Sequence, residues 1–241
     1  MELMRTRPAP EMIDLRTDQS EPIPDDVEKF SITVSDCLDQ NRTANIFKLL
    51  GMTLKMGLEG DVAEFGVFRG ETSLAICKFL EKLDLTGKKL HMFDTFTGLP
   101  DPSPQDLAGA TLESWEHYDQ YSSSERAVRA FLHGHEGRFF IHAGVFMDYL
   151  SFQAPLCLAH IDPDLYEGVQ DAVYICEHAM VDHGVIIVDD YMTSWNGVTE
   201  ACDEIDMTKW KLLGKGHGQF CAMRIGSSDA DVTDDILVSD I

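Results

Sequence analysis

The chain has 241 residues and a formal net charge of −23, because 42 acidic residues outnumber 19 basic ones. A protein this acidic repels phosphate backbones and anionic lipid surfaces, so we expect neither nucleic acid nor membrane partners. No apolar run approaches the roughly 18–20 residues that a membrane span needs. The N-terminus also lacks the apolar stretch of a secretory signal. We therefore predict a soluble, cytoplasmic protein.

The six cysteines include no C-x-x-C pair, and Cys77, Cys157 and Cys221 lie in apolar segments. Apolar surroundings are typical of reduced, buried thiols. We expect neither a disulfide framework nor a zinc site.

The first 58 residues divide into two parts. Residues 1–27 contain four prolines among acidic residues and show little periodicity, which predicts a flexible arm. Residues 28–58 carry apolar side chains at helical spacings, which predicts one or two helices. Such a segment can cover a cleft as a lid or form a subunit contact, and the sequence leaves both roles open.

Residues 59–225 form the main predicted domain, in which short apolar strands alternate with helices. Strands are expected at residues 62–67, 90–93, 138–142, 156–162 and 185–189. Helices are expected at residues 72–82, 123–132, 166–180 and 198–205. This alternation predicts an α/β fold with a doubly wound, mostly parallel sheet covered by helices on both faces.

The C-terminal part has a different pattern. Segments 211–213 and 220–225 flank the glycine-rich sequence GKGHG at 214–218, which predicts an antiparallel β-hairpin. Five parallel strands followed by this hairpin give a seven-stranded, Rossmann-like sheet. Residues 226–241 hold five aspartates and no basic residue, which indicates an acidic tail.

The first strand–helix turn has the features of a ligand site. It runs from Glu64 through Gly66 and Gly70 into a helix. Glycines let a ligand approach the backbone, and a helix N-terminus supplies free N–H donors. The G-x-G-x-x-G spacing of dinucleotide sites is absent, and the Glu64 carboxylate favours an ammonium or sulfonium group over a phosphate. These features favour S-adenosylmethionine over NAD, although the glycines alone would also suit a tight turn.

The second predicted strand ends in an acid, Asp94. Folds of this kind place a carboxylate here to accept hydrogen bonds from ribose hydroxyls. Together with the first turn, Asp94 predicts a nucleoside site.

Three further aspartates, Asp162, Asp189 and Asp190, end two neighbouring strands and should meet at one cleft. Carboxylates this close raise each other's pKa unless a counter-charge is near, and no lysine or arginine adjoins them in the sequence. An all-oxygen set suits Mg²⁺, Mn²⁺ or Ca²⁺. The alternative is that some of these acids cap the following helices, as we expect of Asp164.

Four segments in this order resemble the macrocin O-methyltransferase family, whose members methylate hydroxyls on antibiotic sugars. The resemblance spans about residues 40–225 and rests on EFGVFRG at 64–70, DTFTGLP at 94–100, HIDPDLYE at 160–167 and VDDY at 188–191. Two positions depart from the family pattern. Pro163 stands where a glycine is common, and His160 stands where an arginine is common. A histidine in such a strand is more often a core residue than a catalyst.

The resemblance implies a complete set of site residues. S-adenosylmethionine would bind around Glu64, Gly66, Gly70, Thr72, Ser73 and Asp94. Mg²⁺ would bind to Asp162, Asp189 and Asp190, with Asp162 doubling as general base. The more distant catechol O-methyltransferases use a lysine base at the position of Leu165, which excludes that base here. Members of the family often form dimers or higher oligomers, so a homo-oligomer is expected.

The predicted function is methyl transfer from S-adenosylmethionine to a hydroxyl of a natural-product acceptor. A six-coordinate ion with three protein ligands leaves room for two vicinal oxygens, so a sugar or another vicinal diol is expected. Three alternatives stay open. The same fold and cofactor can serve a cyclisation or hydroxylation, the aspartates can serve a metal-dependent hydrolase or phosphotransferase, or the chain can be a non-catalytic binding module.

Overall fold

A computed structural model of the protein describes residues 41–85, 87–108 and 121–227. Within them lies a seven-stranded sheet of order β3-β2-β1-β4-β5-β7-β6. The strands are β1 Asp61–Phe65, β2 Leu90–Asp94, β3 Phe139–Ala143, β4 Leu156–Ile161, β5 Met180–Asp189, β6 Trp210–Gly216 and β7 Gln219–Arg224. The first five strands are parallel, and β7 runs antiparallel between β5 and β6.

Helices cover both faces of this sheet. They are α1 Arg42–Lys55, α2 Glu71–Lys82, α3 Pro104–Leu107, α4 Glu125–Phe131, α5 Tyr166–Ala179 and α6 Asn196–Asp203, and a short 3₁₀ helix spans Phe146–Tyr149. One face packs against α1, α2 and α4, and the opposite face packs against α5 and α6.

The central strands are buried on both faces. Every residue of β4 is buried, with Leu158 facing the α1 and α2 layer while Ala159 and Ile161 face the α5 and α6 layer. A parallel strand in this position must be apolar along its whole length, which is why its sequence is a nearly continuous apolar run.

Helix α1 belongs to the layer that covers the sheet. It begins after Asn41, whose side chain accepts a hydrogen bond from the backbone N–H of Ala44 at 2.9 Å. Eight of its fourteen residues are buried, and they pack on the face formed by β4 and β5. Residues 28–40 of the predicted helical segment lie outside the described residues, and its role as a lid or subunit contact stays a prediction.

The predicted fold is confirmed, with the parallel core and the C-terminal hairpin in place. Boundaries shift where packing decides them. Strand β5 begins five residues before the predicted Val185, because Met180 already pairs with Leu156 on β4. The short helix α3 and the 3₁₀ helix were not predicted. The predicted arm at 1–27 and all but the first two residues of the acidic tail lie outside the described residues.

Two compositional predictions can be compared with the structure. The five cysteines within the described residues are all buried, as expected of thiols in apolar surroundings. In the same residues, every helix is too short or too polar to cross a membrane.

Candidate active site

A cavity of about 560 Å³ opens at the carboxyl ends of the parallel strands. It lies where the strand order reverses between β1 and β4, the usual ligand position in doubly wound sheets. Of the predicted site residues, six line it: Glu64, Gly66, Thr72, Asp94, Asp162 and Asp190. The sheet therefore brings the predicted nucleoside turn and two of the predicted metal acids to one cavity.

The glycines of the first turn are required by packing within the protein. Gly66 has a φ of +86°, and a Cβ there would overlap the carbonyl oxygen of Asp162. Gly70 has a φ of +88°, and a Cβ there would lie 2.9 Å from a methyl group of Leu132. Both glycines thus serve the tight turn, and Gly66 also lets the ends of β1 and β4 meet beside the cavity.

Asp94 organises this turn from the end of β2. Its Oδ2 accepts hydrogen bonds from the backbone N–H groups of Val67 at 2.7 Å and Phe68 at 3.0 Å, and its Oδ1 accepts one from Phe96 at 2.7 Å. The carboxylate therefore holds two loops in place while it faces the cavity.

Glu64 and Ser73 form a buried pair behind the turn. Glu64 is only 1% exposed, and its carboxylate accepts a short hydrogen bond from the hydroxyl of the fully buried Ser73. Ser73 thereby fixes the orientation of Glu64, while Thr72 on the same helix lines the cavity.

The acids at the ends of β4 and β5 form two overlapping groups. In the described part of the chain, His160, Asp162 and Asp189 place ligand atoms within 4.8 Å of one another, and so do Asp162, Asp164 and Asp190. Asp162 belongs to both groups, of which the first includes Asp189 and the second includes Asp190. We refer to Asp162, Asp164, Asp189 and Asp190 as the acid cluster.

Asp164 was expected to cap the following helix, and this prediction was wrong. Helix α5 has Leu165 at its N-cap without a side-chain cap, and the N–H of Tyr166 instead donates to Asp106 of α3 at 2.8 Å. Asp164 adopts a left-handed backbone conformation, with φ of +63°, and its side chain joins Asp162 and Asp190. The acid cluster is therefore larger than predicted.

Burial and nearby carboxylates raise the pKa values of three of the four acids in this cluster, Asp162, Asp164 and Asp190. Burial and the charge of Asp189 raise the pKa of Asp162 to about 7. Burial, together with the charges of Asp162 and Asp190, raises the pKa of Asp164 to about 8. Such shifts mean that the ionised cluster lacks sufficient positive charge, which is the condition that favours a bound cation.

One basic residue does approach the cluster, contrary to the expectation from the local sequence. Arg42, in the first turn of α1, places Nη1 2.8 Å from Asp190 Oδ1 and 3.8 Å from Asp189 Oδ2. It is separated from these acids by about 150 residues of sequence, so no local pattern identifies it. Arg42 also lines the cavity.

Asp189 has partners beneath the cavity. Its Oδ1 accepts a hydrogen bond from Gln219 Nε2 at 2.6 Å, and its Oδ2 lies 3.4 Å from His160 Nε2. Burial alone would raise the pKa of Asp189, but the charge of His160 outweighs it and lowers that pKa. Burial conversely opposes charge on His160, yet Asp189 raises the pKa of His160 well above its ordinary value. The two side chains thus lie within ion-pair distance of each other, and each favours the charged form of the other.

The residues present fit the two groups that the sequence implied. Asp162, Asp164 and Asp190 line the cavity and offer it only carboxylate oxygens, the donor set of Mg²⁺, whereas the group that contains Asp189 also includes a nitrogen of His160. The cavity volume lies within the range of small-molecule sites, roughly 300–1,000 Å³. Glu64 and Asp94 provide anionic acceptors at its other end.

Comparison with solved structures defines the class of fold. The O-methyltransferase NovP matches with a TM-score of 0.66 and 24% identity, over 76% of this chain and 79% of that one. CalS11, a calicheamicin methyltransferase, matches with a TM-score of 0.60 and 19% identity, over 75% of this chain and 79% of that one. The sheet and its helices therefore have the methyltransferase fold.

The family follows from the sequence itself. The macrocin-O-methyltransferase (TylF) family matches residues 24–209, and the chain belongs to that family. Among its relatives is 8-demethyl-8-(2,3-dimethoxy-alpha-L-rhamnosyl)-tetracenomycin-C 4'-O-methyltransferase of Streptomyces olivaceus, 28% identical over 62% of this chain. Demethyldecarbamoylnovobiocin O-methyltransferase of Streptomyces niveus is 28% identical over 63% of it. The chain spans 60% of the length of each of these two relatives.

Proposed function

We propose that this protein is an S-adenosylmethionine-dependent O-methyltransferase acting on a hydroxyl of a natural-product acceptor, a sugar or another vicinal diol. The observation that carries the proposal is a single cavity in which Glu64 and Asp94 of the first turns face Asp162 and Asp190 of the acid cluster. Family membership supports the reaction. The names of the two Streptomyces relatives, one of which includes a rhamnosyl group, support an antibiotic or sugar acceptor.

The cofactor end of the cavity is assigned to the first two strand–helix turns. Asp94 is an anionic acceptor suited to ribose hydroxyls. The negative charge of Glu64 favours the ammonium or sulfonium of the cofactor. Gly66 and Thr72 line the space between them, while Gly70 and Ser73 contribute by shaping the turn and by holding Glu64.

The catalytic end is assigned to the acid cluster, where Asp162, Asp189 and Asp190 would hold Mg²⁺ with Asp164 within reach. When bound, Mg²⁺ lowers the pKa of a coordinated hydroxyl and orients it. Asp162 accepts the hydroxyl proton as general base. S-adenosylmethionine, held by Glu64 and Asp94, would supply the methyl group and would leave as S-adenosylhomocysteine, which keeps the electron pair of the broken carbon–sulfur bond.

Aromatic side chains beside the cluster support a ring-shaped acceptor. Phe68, Tyr121 and Trp195 line the cavity, with the Tyr121 ring 5.8 Å from that of Phe68 and 6.1 Å from that of Trp195. Burial and the charges of Asp164 and Asp190 raise the pKa of Tyr121, so the Tyr121 ring lies near these acids. Flat apolar surfaces next to an oxygen-binding site suit a sugar or aromatic ring that presents its hydroxyls to the metal.

One feature of the site favours the hydrolase alternative, and other features disfavour it. Arg42 supplies a basic residue near the acids, which a phosphate-cleaving site usually requires. Its guanidinium is already held by Asp190 at 2.8 Å, however, and the opposite end of the cavity is lined with the carboxylates of Glu64 and Asp94, which disfavour a phosphate. Methyl transfer therefore remains the better proposal. A recruited cyclisation or hydroxylation would share the site and differ only in its product, and a homo-oligomer stays a prediction.

The decisive experiment is calorimetric titration of S-adenosylmethionine into the wild-type protein and the Asp94→Asn variant, with and without Mg²⁺. Asn keeps the size of the side chain and removes the charge, so we expect affinity to fall about 10- to 100-fold, as for a lost hydrogen bond to a charged group. Glu59→Gln removes a charge from an exposed position and is the matched control.

Either a loss of equal size in Glu59→Gln or no binding by the wild type would contradict the cofactor assignment. Mass spectrometry of vicinal-diol acceptors then identifies the reaction. Methylation adds one methyl group and yields S-adenosylhomocysteine, whereas a recruited reaction leaves the cofactor unchanged.

A further inference from the structure

A row of six buried polar side chains runs beneath the cavity, across the sheet from α2 to α1. Each is at most 7% exposed. In spatial order the residues are Ser73, Glu64, His160, Asp189, Gln219 and Asn45. We call this row the polar relay. It begins behind the proposed cofactor turn and passes through a proposed metal ligand, so it joins the two ends of the site.

The sheet register fixes the links of the relay. Glu64 on β1 is paired with His160 on β4, and Asp189 on β5 is paired with Gln219 on β7. At its far end, Asn45 Nδ2 donates to Gln219 Oε1 at 2.7 Å. The relay therefore rests on backbone pairing and not on mobile surface side chains.

His160 is the central link. Its Nδ1 lies 3.7 Å from Glu64 Oε1, and its Nε2 lies 3.4 Å from Asp189 Oδ2. Within the described residues neither ring nitrogen has a hydrogen-bond partner, although the side chain is only 2% exposed. Burying an imidazole without hydrogen bonds costs folding free energy, unless its interaction with the two carboxylates that it faces offsets that cost.

We propose that His160 is a positioning residue that couples the cofactor acid Glu64 to the metal acid Asp189. The inference rests on the proposed function. A metal ion that fixes the Asp189 carboxylate also fixes His160 and, through it, Glu64. Because such coupling is reciprocal, each ligand strengthens the binding of the other.

Two variants separate the two links. His160→Gln places its amide nitrogen near the position of Nε2 and keeps a donor toward Asp189. His160→Asn places its amide nitrogen near the position of Nδ1 and keeps a donor toward Glu64. MgCl₂ alone is titrated calorimetrically into the full-length protein, and S-adenosylmethionine is titrated both without and with saturating MgCl₂.

The expected result is a crossed pattern. His160→Asn weakens Mg²⁺ binding about 10- to 100-fold, the usual effect of losing a residue that orients a metal ligand, and changes S-adenosylmethionine binding less. His160→Gln weakens S-adenosylmethionine binding more than it weakens Mg²⁺ binding. In both variants the increase in S-adenosylmethionine affinity that Mg²⁺ produces in the wild type is lost. Equal effects of both variants on both ligands, or wild-type coupling in either, would overturn the inference.

A matched control and a milder variant test whether misfolding, and not a lost link, explains weaker binding. His91→Asn removes another buried histidine, on β2, and should leave both affinities unchanged. Ser73→Ala removes the hydroxyl that holds Glu64, and we expect it to weaken Mg²⁺ binding about 2- to 10-fold although Ser73 is outside the acid cluster. Unchanged Mg²⁺ binding in folded Ser73→Ala contradicts the relay. If the wild type binds neither ligand, the proposed function itself has failed.

Discussion

Arg42 places a positive charge against Asp190 and Asp189, and its removal should destabilise the metal-free protein. We expect Arg42→Met to lower the free energy of unfolding by about 1–2 kcal/mol, toward the low end for a charged hydrogen bond because the side chain is 37% exposed. Saturating Mg²⁺ should make this decrease in the free energy of unfolding smaller, because the ion supplies the missing counter-charge.

Denaturant unfolding in EDTA and in MgCl₂ measures the free energy of unfolding of Arg42→Met without and with the metal ion. Arg129→Met is the control, since Arg129 pairs with Glu125 at 2.7 Å on the exposed face of α4 and should cost only about 0.3–0.5 kcal/mol under both conditions. A loss for Arg42→Met that is the same with and without Mg²⁺ would show that Arg42 acts independently of the acid cluster.

The residues that the sequence did not reveal are those whose partners lie far away along the chain. Asp162, Asp189 and Asp190 follow apolar strands, so their position at the strand ends could be predicted. Arg42 reaches the same acids from α1, which precedes the predicted domain in the sequence. The cap of α5 comes from an acid 60 positions earlier, which left Asp164 free to join the cluster. Local spacing carries no information about such contacts.

At the level of secondary-structure elements, Gly66 joins the ends of β1 and β4. We expect Gly66→Ala to destabilise the protein by about 3 kcal/mol or more, because its Cβ would push against the Asp162 carbonyl and force the two strand ends apart. Calorimetric titration should show that Mg²⁺ binding weakens in parallel.

Gly57 provides the matched control for this substitution. It has a similar φ of +71°, but a Cβ there meets nothing within 4 Å, so Gly57→Ala should cost only about 1–2 kcal/mol for its backbone conformation. Thermal denaturation compares the two variants. Equal losses would mean that backbone conformation, rather than the contact between strands, makes Gly66 necessary.

Strand β3, at the edge of the sheet, carries a pH-sensitive contact with β2. Burial and the neighbouring charge of His91 lower the pKa of His142 to about 4. The fold therefore holds His142 neutral. Its contribution to stability is present above the ordinary pKa of about 6.5 and is lost as the pH falls toward 4. Because the side chain is about half exposed, we expect a loss of about 1 kcal/mol after solvent screening.

His142→Phe tests this contact, since a phenyl ring can keep the stacking on Phe93, whose ring centroid lies 4.3 Å from that of His142. The stability of the variant should change less than that of the wild type between pH 6.5 and 4. Hydrogen exchange of the β3 amides at both pH values localises the effect. If the stability of the variant depends on pH as steeply as that of the wild type does, His142 is not the source of this pH dependence.

The elements were predictable where burial dictates the sequence. Strand β4 and residues 185–188 of β5 are buried and nearly continuously apolar, and the glycine-rich segment before Gln219 predicts the hairpin. The short helix α3 has four residues, too few to show periodicity, and its role depends on a contact between Asp106 and Tyr166 that only the folded chain creates. Periodicity thus predicts layers better than it predicts the loops that complete the site.

At the scale of the whole molecule, the net charge of −23 makes two effects of cations separable. Any salt should stabilise so acidic a chain by screening self-repulsion, whereas Mg²⁺ bound at the acid cluster should add a site-specific term. At equal ionic strength, MgCl₂ should therefore raise the melting temperature more than NaCl does. Thermal denaturation at pH 8 gives this comparison, with Glu59→Gln as a control that should behave as the wild type does.

Asp162→Asn should abolish the difference between the effects of MgCl₂ and NaCl on the melting temperature. Burial and like charges raise the pKa of Asp162 to about 7, so at pH 8 the wild-type carboxylate is ionised among repelling neighbours. The neutral amide removes that repulsion, and the metal-free variant should be more stable than the metal-free wild type. It should then gain no more from MgCl₂ than from NaCl, because a proposed ligand is gone. A specific Mg²⁺ effect that survives in Asp162→Asn would place the ion elsewhere on this acidic surface, and equal effects of both salts on the wild type would argue against a metal site altogether.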